Sequence, residues 1–143
     1  MYIERSIDNL LIEWKNGISL KPLLLRGARQ VGKSWAVKHL GESFDYYVEV
    51  NFEKRPDIKD VFERIHDVHE LANNLSMLFN VPIVAGKTLL FLDEIQDCAA
   101  AIKSLWAFKE DYPDLHVVAA GSLLEFALQE LPSFGVGRSA TWG

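Results

Sequence analysis

Cysteine occurs once in the 143 residues, at Cys98. No disulfide can form within the chain, and no oxidising compartment is indicated. Charge of one sign is nowhere concentrated: 15 Lys and Arg stand against 20 Asp and Glu, a net charge of −5. Basic residues cluster only as pairs, so no nucleic-acid face is marked. Apolar runs are a few residues long, far short of the ~20 needed to cross a bilayer. Met1 to Arg5 carries charges where a signal peptide needs an apolar stretch. Repeats and low-complexity linkers are absent. These absences give the expectation of one cytoplasmic domain with no membrane contact; nucleic acid is not indicated, although a local basic patch can still form in three dimensions. What is present is apolar content of 49%, enough to bury a core and too much for a disordered chain.

The apolar residues fall into alternating patterns. Ile3, Ile7, Leu10, Leu11 and Trp14 recur at helical spacing and end before Gly17. Leu23-Leu24-Leu25 follows Pro22 as a short continuous run, the pattern of a strand covered on both faces. A helix is expected from about Lys33, burying Trp35, Val37 and Leu40. Tyr46 to Val50 reads as a second strand. Past Pro56, Ile58, Val61, Phe62, Ile65, Val68, Leu71, Leu75 and Leu78 trace one long helical face, breaking somewhere before Pro82. Thr88 to Leu92 is a third strand, Ala99 to Glu110 a helix and Leu115 to Ala120 a fourth strand. A helix through Leu123, Leu124, Phe126 and Leu128 comes last. Strands alternating with helices predict a layered α/β fold with a mostly parallel sheet.

Directly after the first strand stands Gly27-Ala28-Arg29-Gln30-Val31-Gly32-Lys33-Ser34, a complete G-x-x-x-x-G-K-S with Trp35 following it into the helix. Glycines allow the backbone to approach phosphates, loop amides serve as anion donors, and the helix adds its positive end. Lys33 is placed to reach the β- and γ-phosphates, and the Ser34 hydroxyl to ligate Mg²⁺. A chance match on an ordinary strand–turn–helix is the alternative, but the strand-to-helix context is the one the motif requires. Leu89 to Leu92 then leads into Asp93-Glu94. Ligands of open α/β sheets bind at the carboxyl ends of strands. Asp93 fits a Mg²⁺ ligand there, and Glu94 a general base for the attacking water. Alone, two acids after a strand would read as a solvated loop; beside a phosphate loop they read as a site. Cys98 is expected to be a small buried residue.

Arg26 to Ser34, Leu92-Asp93-Glu94-Ile95-Gln96-Asp97-Cys98 and Ala119-Ala120-Gly121-Ser122-Leu123-Leu124-Glu125-Phe126 together resemble a family of prokaryotic AAA-superfamily ATPases. In that family an uncharacterised C-terminal domain follows the ATPase core. The resemblance runs from Arg5 to about Arg138. It implies a P-loop NTPase three-layer sandwich, ATP as nucleotide and Mg²⁺ as metal. It also implies a strand order in which the fourth strand separates the acidic strand from the phosphate-loop strand. Ser122 is similar to the polar sensor of the γ-phosphate, or is simply a helix N-cap. Asn51 is similar to the switch residue that bonds the catalytic glutamate, or merely closes a strand. Arg138 matches a Gly-Arg step, and lies either near transition-state charge or in a solvated loop. Arg29 lies within the loop itself.

The resemblance divides the chain into an N-terminal helix (1–20), an ATPase core (21–138) and an atypical tail (139–143). Ser139 to Gly143 does not look like the family's continuation, so the final strand and lid are expected to be missing. The edge of the phosphate-loop strand would then be bare. The expected activity is Mg-dependent ATP hydrolysis, catalysed by Glu94 and Lys33 with Asn51 and Ser122 assisting. Its partners would be ATP, further copies of the chain and the C-terminal domain. A nucleotide-dependent switch of little turnover, a nucleic-acid motor and a non-functional fragment are the rival readings.

Overall fold

The computed structural model describes residues 12, 14–16, 22–27, 31–121 and 138–142. Strand β1 (Leu23–Gly27) leads into helix α1 (Val31–Gly41), and β2 (Tyr46–Asn51) follows. Helices α2 (Ile58–Arg64) and α3 (Val68–Phe79) precede β3 (Thr88–Asp93). A 3-10 turn (Ile95–Asp97), α4 (Ala99–Asp111), β4 (His116–Ala120) and β5 (Arg138–Trp142) complete the order.

The sheet runs β2-β3-β4-β1-β5, with every ladder parallel. Val50, Leu92, Ala119, Leu24 and Ser139 share one row across it. The fourth strand thus separates the acidic strand from the phosphate-loop strand, as the resemblance implies. All five strands end at the same edge, where Gly27, Asn51, Asp93, Ala120 and Trp142 lie.

Strand alternation sorts the core into two layers. Leu23, Leu25, Leu89, Phe91, Val118 and Ala120 face α1, packing on Ala36, Val37, Leu40 and Trp14. Leu24, Val48, Val50, Leu90, Leu92, Val117 and Ala119 face the other way, onto α2, α3 and α4. The three-leucine run of β1 is fully buried because both faces are covered. Burial of such a side chain stabilises by about 1.5–3 kcal/mol. His116 is the polar exception inside β4. Its Nε2 meets the Lys15 carbonyl at 3.0 Å, and its ring lies edge-on to Trp14 and Phe44, each centroid 5.0 Å away.

Three expectations are corrected and a fourth is located. The bare edge does not occur: Arg138–Trp142, of which Ser139 to Trp142 was expected to be tail, pairs along the whole of β1, from Leu23↔Arg138 to Gly27↔Trp142. Trp35 is 53% exposed rather than buried, because the buried stripe of α1 is Ala36, Val37 and Leu40. The break expected before Pro82 falls between Arg64 and Val68, dividing the long helical face into two helices. Asp67 caps the second, its Oδ1 accepting from His69 N at 2.8 Å and Glu70 N at 3.2 Å. Leu78 is 52% exposed, at the end of α3 beyond the buried Val68, Leu71, Ala72 and Leu75. Of the first expected helix, residues 12, 14 and 15 are helical and Trp14 is buried. The rest of that helix and the Leu123–Leu128 helix lie outside the described residues.

Candidate active site

Three residues separate the end of β1 at Gly27 from the start of α1 at Val31. The amino end of α1 therefore opens at the carboxyl edge of the sheet, where its first-turn amides lack helical partners. Gly32, Lys33 and Ser34 are in that first turn. Their side chains lie outside the described residues, as do Ala28, Arg29, Gln30 and Ser122.

Asp93 ends β3 two strands away, about 10 Å at the usual strand spacing. Leu89 and Phe91 pack on the α1 side, so the two-residue period puts Asp93 on that side also. Asp93 is 3% exposed and Glu94 is 5% exposed. Buried carboxylates are costly unless charge or hydrogen bonds compensate them. Asp93 Oδ1 accepts from the Glu94 amide at 2.9 Å. A buried acid with an oxygen held in this way, on the side of the helix whose first turn holds Lys33 and Ser34, suits a hard divalent cation shared with phosphate oxygens.

Glu94 has φ 53° and ψ 44°, left-handed for a residue with a side chain. Such backbone costs of order 1 kcal/mol and collects at functional sites. The twist turns the chain out of β3 into the 3-10 turn, so adjacent acids point differently. Glu94 Oε1 accepts from Gln96 Nε2 at 2.9 Å. The Gln96 Oε1 atom is buried, and among the described residues no donor reaches it. It lies against Gly121, the residue after β4; a Cβ there would overlap it.

Asn51 is level with Asp93 across β2 and β3. Its Oδ1 accepts from Glu53 N and Lys54 N, both at 3.0 Å, closing the turn after β2. Among the described residues no hydrogen bond joins Asn51 to Glu94. Tyr47 and Glu49 share the α1 side of β2, and Tyr47 OH donates to Glu49 Oε1 at 2.9 Å. Burial, then the Glu49 and Asp93 charges, push the Tyr47 phenol well above its ordinary range. Trp35, one residue past the motif, stacks on His39 at 5.1 Å between centroids, in the open. Arg138 pairs with Leu23, at the opposite end of β1 from Gly27. That is about 13 Å of strand away, so its backbone is neither beside the phosphate loop nor in a loop. Cys98 is buried, its thiol pushed up by that burial, and it closes the 3-10 turn through its amide to Ile95 O at 2.9 Å.

This combination of loop, sheet order and acidic pair agrees with the family comparison, in which the AAA domain matches residues 19–142. The chain belongs to the AAA domain family. No curated protein matches it. AAA domains are as a class nucleotide-binding ATPases, and the α/β sheet of this AAA domain has the matching architecture. Among its described residues no helix is long and apolar enough to cross a membrane.

Sequence reasoning brings Asp93, Glu94, Asn51 and the start of α1 to one edge of this AAA domain, and they are there. It overlooked Gln96 and Gly121. Each lies inside a stretch quoted for the family resemblance, and Gln96 is two residues from Glu94, which was the available signal.

Proposed function

We propose that this AAA domain binds Mg-ATP through Gly27 to Trp35 and hydrolyses it. The buried acid pair at the end of β3, on the side of α1, carries the reading. The α1 amides and Lys33 bind the β- and γ-phosphates, where positive charge is worth most as negative charge shifts. Ser34 and Asp93 are the residues that hold Mg²⁺. The bound ion supplies neutralisation of phosphate charge.

Glu94 orients a water and takes its proton as the water oxygen bonds to the γ-phosphorus. The bond from that phosphorus to the bridging oxygen breaks, and ADP and phosphate leave. Its backbone twist separates this task from that of Asp93. Ser122, in the segment after β4, is the γ-phosphate sensor. Asn51 is the switch residue, at the level of Asp93. The test separates binding from chemistry. Lys33→Ala is expected to lose ATP affinity, and Glu94→Gln to keep affinity and lose hydrolysis.

A further inference from the structure

We infer that Gln96 is a positioning residue for Glu94, seated by the close approach of Gly121. The inference rests on reading Glu94 as the base. Glu94 leaves β3 in left-handed backbone and heads a three-residue 3-10 turn, so its side chain departs from the alternation of the strand. The Gln96 amide, 2.9 Å from Glu94 Oε1, ties one oxygen of that carboxylate. A hydrogen bond to a charged oxygen is among the stronger ones, and it fixes direction as well as distance.

A glutamine could do this by chance on an exposed turn, but this one is not free to swing. Its Oε1 is buried against Gly121 without a donor among the described residues. The arrangement persists because the other end of the same amide is held by Glu94. Gly121 makes room for it: a methyl there would overlap Gln96 Oε1 and stand 3.3 Å from Ile95 N and 3.4 Å from Gln96 N. Asn51, by contrast, spends its carbonyl oxygen on the turn at Glu53 and Lys54. Among the described residues the carboxamide bonded to Glu94 is that of Gln96. The contact also joins Glu94 to the residue immediately before Ser122, just past the end of the neighbouring strand β4.

Gln96→Met keeps the length and removes the amide. Single-turnover and steady-state Mg-ATP hydrolysis should show kcat lowered about tenfold to a hundredfold. KM and nucleotide affinity should stay within twofold, and the melting temperature should be unchanged. Gly121→Ala should reproduce the loss by displacing the amide. In a Glu94→Gln background, Gln96→Met should have no further effect, because a residue acting only through Glu94 has nothing left to position. An unchanged or raised kcat, or an equal further loss in that background, would overturn the inference. A readout independent of turnover is the Gln96 side-chain amide resonance, expected to move on Glu94→Gln and to stay put on Asn51→Ala. An unmoved resonance refutes the Gln96–Glu94 contact. If the parent does not hydrolyse ATP but the resonance moves, the contact stands and the assignment of Glu94 as base fails.

Discussion

Gly41→Ala sets helix propensity against packing, and the geometry decides which wins. Gly41 is the last residue of α1. Alanine there should gain at most about 1 kcal/mol of helix stability, less at a terminus. A Cβ at Gly41 would stand 2.5 Å from Tyr47 Cδ1, 2.8 Å from Cγ and 3.0 Å from Cε1. These are the root and near edge of the ring, not a tip that can swing aside. The ring is also held at its far end by the 2.9 Å hydrogen bond to Glu49. Overpacking of this kind costs about 1–3 kcal/mol, so the substitution should destabilise by about 1–2 kcal/mol and lower the melting temperature by several degrees. Guanidinium unfolding of Gly41→Ala, Tyr47→Leu and the double variant measures the coupling directly. With the smaller Tyr47→Leu side chain, alanine at 41 should become neutral or stabilising. A stabilising Gly41→Ala in the parent, or the same loss with and without the ring, would refute the steric argument.

Two titrations follow from burial. Burial, opposed by the Lys15 carbonyl hydrogen bond and helped by the Lys15 charge, holds His116 below its ordinary 6.5. A depressed group leaves stability intact above the unfolded value and loses it as pH falls below about 6.5. His116→Phe should flatten that acid limb in melts taken from pH 7 to 5. The raised Tyr47 phenol acts at the other end. Its contribution is full below the unfolded value of 10.0 and is lost as pH rises beyond it. Absorbance titration should show one tyrosine that ionises only on unfolding, and Tyr47→Phe should remove that phase.

Much of the fold was legible because the apolar pattern carries it. Leu23–Leu25, Thr88–Leu92 and Leu115–Ala120 are runs that only a sheet covered on both faces explains. The order of the strands came from the resemblance and agrees with the pairing. β5 was not read, since Arg-Ser-Ala-Thr-Trp has no apolar run and its polar–apolar alternation spans only Ser139 to Trp142. Its strand character comes from pairing with the edge of β1, a tertiary effect that local preference does not report. The position of the break between α2 and α3 was hidden because Ile65 and Val68 continue the apolar period across it. The cap at Asp67, with Glu70 three residues on, was its one local mark. In the site, the phosphate loop and the acids could be read because their chemistry dictates residue type. Gln96 and Gly121 could not, because what matters about them is a contact between a turn and the end of a neighbouring strand.

We propose that one edge of this sheet binds Mg-ATP and that Glu94 activates water there. Paired measurements on the parent and Glu94→Gln test it most directly: calorimetric titration with Mg-ATP, and phosphate release from the same preparations. The substitution keeps the shape of the side chain and removes the base. Equal affinity in both proteins, with hydrolysis by the parent and a loss of a hundredfold or more in the variant, is the expected result. Equal hydrolysis rates in the two proteins, or no binding of Mg-ATP by either, would contradict it.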